Sequence, residues 1–200
     1  MVQKMTNRNT RKRERTQAHI AQVAVALFEK HGYESVTMEQ IAAEADVARG
    51  TLYNHFAVKD AVLVYWIHTQ LGDALEPLLN QALTRSSFVE RVAVILKASA
   101  AWWEKQRVFA VPYIRYRFDG LQEGQGAAAG SDLISVYVHL IKAAQESGEI
   151  TSAAPAERLA RYLHYLYLSA LMGWLADPER SLGTQFTEVL DFFMNGAGSG

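Results

Sequence analysis

Three polar side chains lie close together in a short segment that also carries two spaced apolar residues. A helix there would bury Leu52 and Phe56 and would place Arg49, Thr51 and Asn54 on its outer side. An arginine guanidinium can pair with guanine through two hydrogen bonds, and a threonine can contact a thymine methyl group or a phosphate. Asparagine can read adenine, or contact a phosphate if it lies at the helix end. Small, polar and basic outer residues are typical of a helix that reads base edges in a major groove.

A second short helix, followed by a turn, precedes this segment. Thr37 and Gln40 have the spacing of a capping box, which predicts that a helix begins at Thr37. The apolar residues that follow at intervals of three and four are Met38, Ile41, Ala42 and Ala45. The pattern ends at Asp46, and aspartate adopts the left-handed conformation of a helix exit more readily than most residues do. Residues 37–56 are therefore predicted to form a helix-turn-helix.

The composition excludes several classes of protein. The chain has 200 residues, half of them hydrophobic, and no cysteine, which excludes disulfides, thiolate metal sites and cysteine nucleophiles. The six histidines are scattered, and neither a glycine-rich phosphate loop nor a Gly-x-Ser-x-Gly turn occurs. We therefore expect no enzymatic activity, no metal and no cofactor. The N-terminus lacks the apolar core of a signal peptide, and no apolar run is long enough to span a membrane, so we expect a cytoplasmic protein.

Charge is distributed unevenly along the chain. The net charge is −1, but the first 15 residues carry six basic side chains and one acidic side chain, which leaves −6 for the remainder. Residues 1–12 are predicted to form a basic, flexible arm, and Arg13, at the start of the first predicted helix, is a further candidate for contact with DNA. Such an arm can add salt-sensitive contacts to a polyanion, or can reach into a minor groove. The alternative is a solvated tail without a function.

Helical periodicity continues through the rest of the chain, and no strand pattern of useful length occurs. We therefore predict an all-α fold of about nine helices. They span residues 13–31, 37–45, 48–56, 58–79, 87–105, 108–118, 131–147, 155–176 and 182–194. Ser87 and Glu90 have the spacing of a second capping box, at the start of the fifth of these helices. Pro77 is expected to kink or end the fourth helix, because proline lacks a backbone donor. The glycine-rich segment 120–130 is predicted to be a flexible loop, and residues 196–200 a flexible tail.

The last two predicted helices are apolar on more than one side. A helix that is apolar nearly all round must be buried on both sides, which favours a self-complementary four-helix interface between two copies of the chain. The predicted interface residues are Leu159, Leu163, Leu166, Phe186, Val189, Leu190 and Phe193. The alternative is that these residues form the core within one chain.

The region Arg15–Leu63 resembles the DNA-binding domain of the TetR family of bacterial transcriptional regulators. The residues that carry the resemblance are Leu27-Phe28, Gly32-Tyr33, Thr37, Ile41-Ala42, the run GTLYNHF from Gly50 to Phe56, and Lys59. Two short segments, Ser147-Gly148-Glu149-Ile150 and Met172-Gly173, resemble parts of the family's seventh and eighth helices. The resemblance implies a DNA-binding domain over residues 13–73 and a ligand-binding and dimerisation domain over residues 74–195.

Three residues depart from the usual family pattern. Asp46 stands where the turn usually has glycine, Ala48 where the recognition helix usually has a serine cap, and Val58 where the next helix often has serine. Loss of a serine cap costs about 0.5–2 kcal/mol of local helix stability. None of the three changes removes a recognition residue.

The resemblance implies a homodimeric repressor whose two recognition helices enter successive major grooves of a near-palindromic DNA operator. Arg49 is the best candidate for reading a base. Tyr53 and His55 resemble the family's clamp on the DNA backbone and would donate hydrogen bonds to phosphates. We expect Thr37, at a helix N-terminus, and Lys59, at the start of the next helix, to contact phosphates as well.

Members of the family commonly bind a small molecule in the helical body and then release DNA. The candidate contacts here are mostly aromatic: Trp66, Trp103, Tyr113, Tyr116, Tyr137, His139 and Tyr165. Such side chains suit a small apolar or aromatic effector. A regulator that is controlled by a protein partner or by DNA without an inducer is an open alternative, and so is an activator instead of a repressor.

Overall fold

The computed structural model describes residues 2–122, 132–177 and 179–197, and within these ranges it contains helices and no strand. The α-helices in chain order are α1 (Val2–His31), α2 (Met38–Glu44), α3 (Arg49–His55), α4 (Lys59–Leu83), α5 (Phe88–Lys105), α6 (Ala110–Gln122), α7 (Asp132–Glu146), α8 (Ala156–Ala176) and α9 (Leu182–Ala197), with a 3-10 turn at Arg107–Phe109 before α6. The predicted all-α class is confirmed for this part of the chain. None of these helices combines the length and the apolarity that a membrane span requires.

The chain separates after Gln70 into two compact units. The first unit contains α1, α2, α3 and the first half of α4, and the second unit contains the rest of α4 and all later helices. The domain boundary between residues 73 and 74 stays a prediction.

The first unit is built on the apolar sides of its short helices. The large side chains with an exposed fraction of 2% or less include Ile20, Phe28, Ile41, Leu52, Leu63 and Ile67. Helix α1 ends at His31 because Gly32 takes a φ of 84°, a value that favours glycine. The predicted capping box at α2 is confirmed, since Thr37 Oγ1 accepts from the Gln40 N–H at 3.2 Å and the Gln40 side chain accepts from the Thr37 N–H at 2.8 Å.

The turn between α2 and α3 has the predicted left-handed residue. Asp46 has a φ of 50°, and the next N–H, that of Val47, donates to the Ala42 carbonyl at 3.0 Å. Helix α3 then begins at Arg49 with Ala48 as its N-cap residue, whose side chain makes no capping hydrogen bond. The turn therefore holds its shape through backbone hydrogen bonds.

The second unit is a bundle in which α8 packs against α7 and α9, and α9 packs against α5. Its largest buried side chains are Phe88, Trp103, Phe109, Tyr137, Tyr167 and Phe186. Helices α8 and α9 approach closely at Gly173, where an added Cβ would lie 2.6 Å from Oε1 of Gln185. Any larger residue at position 173 would displace the buried Gln185 side chain.

The turn after α7 is joined to the start of α5 by a carboxylate. Glu149 Oε2 accepts a hydrogen bond from the Phe88 N–H at 2.6 Å, and Ser147 Oγ donates to Glu149 Oε1 at 3.0 Å. The predicted Ser87–Glu90 capping box is present at the same helix end. Two carboxylates therefore satisfy N–H groups that have no partner within α5.

Helix α1 starts earlier, and helix α4 ends later, than the sequence predicted. Helix α1 begins at Val2 instead of Arg13, so residues 2–12 continue α1. The flexibility of this basic arm stays a prediction. This segment contains no glycine or proline, and extension of a helix that has already formed costs little. Helix α4 does not end at the exposed Pro77, because proline removes one hydrogen bond and the remaining turns keep theirs.

Two predicted flexible segments are partly helical. Residues 120–122 of the predicted loop belong to α6, and residues 196–197 of the predicted tail belong to α9. Residues 123–130 of the predicted loop and residues 198–200 of the predicted tail lie outside the described ranges.

Most residues predicted at the dimer interface belong to the core of the chain itself. The five with an exposed fraction of 6% or less are Leu159, Leu163, Phe186, Leu190 and Phe193. Leu166 and Val189 are half-buried. Helical periodicity identified the buried side of α8 and α9, but it carries no information on whether the neighbour belongs to the same chain. The large apolar residues that α8 and α9 expose are Tyr162, Tyr165, Met172 and Phe192.

Candidate nucleic-acid interface

Helix α3 presents its polar side chains to solvent and its apolar side chains to the core. Leu52 is fully buried and Phe56 is 4% exposed, so these residues anchor the helix. Arg49, with 69% of its side chain exposed, lies on the open side together with Asn54. Thr51 is half-buried. The structure thus places the predicted base-reading residues on one accessible surface.

A carboxylate on α2 links two of the predicted DNA contacts. Glu39 Oε1 lies 2.8 Å from a guanidinium nitrogen of Arg49 and accepts a long hydrogen bond of 3.4 Å from the Tyr53 hydroxyl. The Arg49 guanidinium also lies over the Tyr53 ring, 5.5 Å from its centroid. The side chains of Glu39, Arg49 and Tyr53 therefore form a small exposed cluster that links α2 to α3.

Lys59 has a structural role that the sequence did not predict. Its Nζ donates hydrogen bonds to the carbonyls of Tyr33 at 2.6 Å, Val36 at 2.9 Å and Glu34 at 3.3 Å, and it lies over the Tyr33 ring at 4.3 Å. An ammonium group has three N–H donors. All three therefore hold the loop between α1 and α2 against the start of α4, and the predicted phosphate contact of Lys59 stays a prediction.

His55 lies at the end of α3, close to the basic residue Arg13 of α1. Burial, and then the positive charge of Arg13, lower the pKa of His55 below its usual 6.5. The ring is therefore mainly neutral at pH 7. Its Nδ1 atom is buried without a hydrogen-bond partner among the described residues.

Thr37 and Tyr53 are accessible, as a phosphate contact requires. Thr37 is exposed at the N-terminus of α2 and Tyr53 is 40% exposed on α3. The structure therefore brings Thr37, Arg49 and Tyr53 to the same part of the first unit, with Glu39 between the last two. Sequence reasoning missed Glu39, because a contact between residues ten positions apart on two helices leaves no periodic signal.

The predicted ligand contacts divide into buried and exposed sets. Trp103 and Tyr137 are fully buried and Tyr113 is 3% exposed, whereas Tyr165 is 48% exposed and His139 is exposed. Tyr116 is half-buried, as is Trp66, which belongs to the first unit. Of the seven predicted ligand contacts, only Trp103, Tyr113 and Tyr137 therefore lie in the core of the second unit.

One of these three residues, Trp103, hydrogen-bonds to the hydroxyl of Tyr167 and also packs against Tyr113. Trp103 Nε1 donates to that hydroxyl at 2.6 Å, Ser99 Oγ lies 2.7 Å from it, and the Trp103 and Tyr113 ring centroids are 5.0 Å apart. Burial raises the pKa of Tyr113, Tyr137 and Tyr167, so all three stay protonated. The Tyr137 hydroxyl has no hydrogen-bond partner within the described ranges.

The exposed surface of α8 and α9 contains an apolar groove with a volume of about 600 Å³. Its lining residues are Thr151, Ala154, Leu159, Tyr162, Tyr165, Leu166, Phe192 and Phe193. In the part of the chain that the structure describes, no three histidine or carboxylate side chains come together to hold a metal ion.

Comparison with known proteins links this arrangement to a family. The family model of bacterial regulatory proteins of the tetR family matches residues 20–65. The chain is 28% identical over 192 residues to the protein named as the mycofactocin biosynthesis transcriptional regulator MftR of Mycobacterium tuberculosis, covering 95% of this chain and 93% of that protein. An HTH-type transcriptional regulator of Staphylococcus aureus is 38% identical over 53 residues, which cover 26% of this chain and 29% of that protein.

Solved structures share the fold along most of the chain. Thermus thermophilus FadR, a TetR-family repressor in complex with lauroyl-CoA, superposes with a TM-score of 0.78 at 23% identity, covering 90% of this chain and 94% of that chain. SmeT, the repressor of the Stenotrophomonas maltophilia multidrug efflux pump SmeDEF, superposes with a TM-score of 0.61 at 22% identity, covering 92% and 90%. Residues 20–65 therefore match the DNA-binding region of the tetR family of bacterial regulatory proteins, and most of the described chain shares its all-α fold with solved structures of TetR-family regulators.

Proposed function

We propose that the chain is a homodimeric repressor that binds a near-palindromic DNA operator through α3 and is released by a small apolar or aromatic ligand. The observation that carries the DNA-binding part is the open side of α3, where Arg49 is accessible above the buried Leu52. In this proposal Arg49 reads a guanine, and Thr37, Tyr53 and backbone N–H groups contact phosphates. Two copies related by a two-fold axis would read half-sites about 34–36 Å apart, or a multiple of that distance.

The proposed dimer interface is the exposed surface of α8 and α9. Phe192 is 68% exposed and Tyr162 is 53% exposed, and both line the apolar groove. Exposed aromatic residues that are contiguous with a groove are typical of an interface. A second copy of the chain would supply the same residues from its own α8 and α9, as an interface with two-fold symmetry requires.

The proposed effector site lies in the core of the second unit, next to the hydroxyl groups of Tyr137 and Tyr167. A ligand with an apolar body and one polar group would pack against the aromatic rings and hydrogen-bond to Tyr137, whose hydroxyl is buried. Two structural neighbours support this chemistry, since one FadR binds lauroyl-CoA and SmeT binds triclosan.

Helix α4 contributes residues to both units. We propose that this helix transmits ligand binding to the helix-turn-helix, as a shift between two populated states of the protein.

Selection of bound sequences from random DNA tests the DNA-binding part. We expect one enriched motif with two-fold symmetry, and a set of sequences without any common motif would overturn the proposal. The selected duplex, labelled with a fluorophore, then serves as the probe for the effector.

Titration of the complex between protein and labelled duplex with lauroyl-CoA and with triclosan tests the ligand-binding part. We expect the fluorescence anisotropy of the labelled duplex to fall to the value of free DNA with at least one of these two compounds. We also expect the fluorescence emission of the buried Trp103 to change. Calorimetry with a wider set of apolar metabolites follows if both probes leave the complex intact. No binding in that set would favour a regulator without a small-molecule inducer.

A further inference from the structure

Glu39 places a negative charge at the surface that we propose for DNA. It lies in the first turn of α2, where the helix dipole stabilises a carboxylate, and half of its side chain is exposed. Phosphates repel a carboxylate, so this residue opposes binding unless it performs a second task. The contacts of Glu39 identify that task, because its Oε1 atom faces two proposed DNA contacts and not solvent alone.

The ion pair holds Arg49 before DNA is bound. The guanidinium lies 2.8 Å from Glu39 Oε1 and rests over the Tyr53 ring, and the Tyr53 hydroxyl donates to the same carboxylate oxygen. In the free protein Arg49 therefore has a defined position, and the carboxylate of Glu39 balances its positive charge. Any DNA contact by Arg49 must compete with Glu39.

We propose that Glu39 is a specificity-determining residue, which restrains Arg49 in an ion pair that guanine displaces and that a single phosphate does not outcompete. An exposed ion pair changes an equilibrium by about fivefold or less. A bidentate arginine–guanine pair discriminates by roughly 5- to 150-fold, so the correct base displaces Glu39. A single phosphate contact is comparable to the ion pair, so on other sequences Arg49 stays bound to Glu39 and adds no net positive charge.

Glu39 acts through Arg49 and is a positioning residue in this scheme. It lowers the affinity for random DNA more than it lowers the affinity for the operator. This inference rests on the proposed function, in which Arg49 reads a base in each half-site.

The test compares Glu39→Gln with Glu44→Gln. Both substitutions remove one negative charge from α2, but Glu44 lies at the exposed C-terminal end of that helix. Dissociation constants are measured over a range of salt concentrations for the selected operator and for a random duplex of equal length, and thermal unfolding confirms that each variant is folded. For Glu39→Gln we expect the ratio of random to operator dissociation constants to fall by about two- to fivefold per protomer.

The salt dependence gives a second readout that a structural defect would not produce. Release of Arg49 adds about one phosphate contact, so the slope of log K against log salt for random DNA should steepen by about 0.9 per protomer. Glu44→Gln should leave the ratio of the two dissociation constants at its wild-type value. A Glu39→Gln protein with wild-type ratio and slope would overturn the inference.

An Arg49→Ala background separates this inference from the proposed function. If Glu39 acts through Arg49, Glu39→Gln has no effect on the ratio once Arg49 is absent. If Glu39→Gln strengthens binding to both duplexes equally in both backgrounds, Glu39 is a simple repelling charge and the inference is wrong. If Arg49→Ala by itself leaves base preference unchanged, then the base-reading role of Arg49 fails, and the inference fails with it. If Arg49→Ala relaxes one base position while Glu39→Gln changes nothing, the inference about Glu39 fails and the proposed function stands.

Discussion

The two units of this chain place their candidate functional residues in opposite environments. In the first unit, Arg49 and Tyr53 are exposed on a seven-residue helix whose other side is closed by Leu52. In the second unit, Trp103 and Leu163, proposed from sequence as ligand and interface contacts, are fully buried. A short helix of a helix-turn-helix has one neighbouring side and one free side, whereas a bundle helix such as α8 has several neighbours. The same periodic pattern therefore separates contact residues from core residues in the first unit and fails to do so in the second.

Leu163→Ala is expected to have the largest effect, and it tests the core assignment in the second unit. We expect the free energy of unfolding to fall by about 2–5 kcal/mol, because a buried leucine loses its packing and leaves a cavity. Urea unfolding followed by circular dichroism measures the change. Val111→Ala, at a position that is 57% exposed, is the control and should change stability by less than about 0.5 kcal/mol. Similar losses in both variants would contradict the contrast between buried and exposed apolar residues.

Arg49→Ala tests the exposed surface of the first unit. We expect operator affinity to fall by about 1–3 kcal/mol per protomer, with relaxed preference at one base position and unchanged thermal stability. Fluorescence anisotropy with the operator and its single-base variants measures this. Lys97→Ala, which removes an exposed positive charge from α5, should leave base preference intact. Equal weakening on every sequence would assign Arg49 to a phosphate instead.

Lys59→Met tests whether Lys59, a predicted DNA contact, stabilises the fold of the first unit through its hydrogen bonds. Three backbone carbonyls lose their donor, so we expect the free energy of unfolding to fall by about 1–3 kcal/mol. The salt slope of operator binding should stay at the wild-type value. A slope that is shallower by about 0.9 per protomer, with stability unchanged, would instead show that Lys59 contacts a phosphate.

Asp46→Ala probes the turn that sets α3 against α2. We expect the free energy of unfolding to fall by about 1 kcal/mol, because alanine tolerates a φ of 50° less well than aspartate does. Asp46→Gly is the matched variant and should cause no loss, since glycine adopts this conformation freely. Thermal unfolding of the wild-type, Asp46→Ala and Asp46→Gly proteins gives their order of stability. Equal stability of the alanine and glycine variants would contradict a role for the left-handed conformation at residue 46.

The smallest expected effect concerns His55 and pH. The pKa of His55 is lowered in the folded protein, so the unfolded chain binds a proton at higher pH than the folded chain does. The contribution of His55 to stability is therefore complete above the unfolded pKa of 6.5 and is lost as the pH falls towards the lowered folded value. Melting temperatures measured between about pH 5 and pH 8 should show a smaller decrease on acidification for His55→Gln. An identical pH profile would show that His55 does not contribute.

Local signals in the sequence were sufficient for most of the fold. The capping boxes at Thr37 and Ser87 are confirmed by their hydrogen bonds, and the left-handed conformation of Asp46 is confirmed by its φ. Each of these features depends on groups within a few residues of one another. Helix continuation past Pro77 and back to Val2 was missed, because propensity describes a single residue and not the gain from a helix that is already formed.

The sequence by itself determined where each helix lies, apart from the start of α1 and the end of α4, together with the turn between α2 and α3 and the side chains available on α3. Those features follow from backbone geometry, capping and periodicity, which act over one or two turns. The tertiary structure decided that Lys59 holds a loop, that Leu163 belongs to the core, and that Glu39 pairs with Arg49. Each of these roles depends on which groups from distant positions meet in space, and a hydrogen bond or an ion pair across ten or more residues leaves no periodic pattern in the chain.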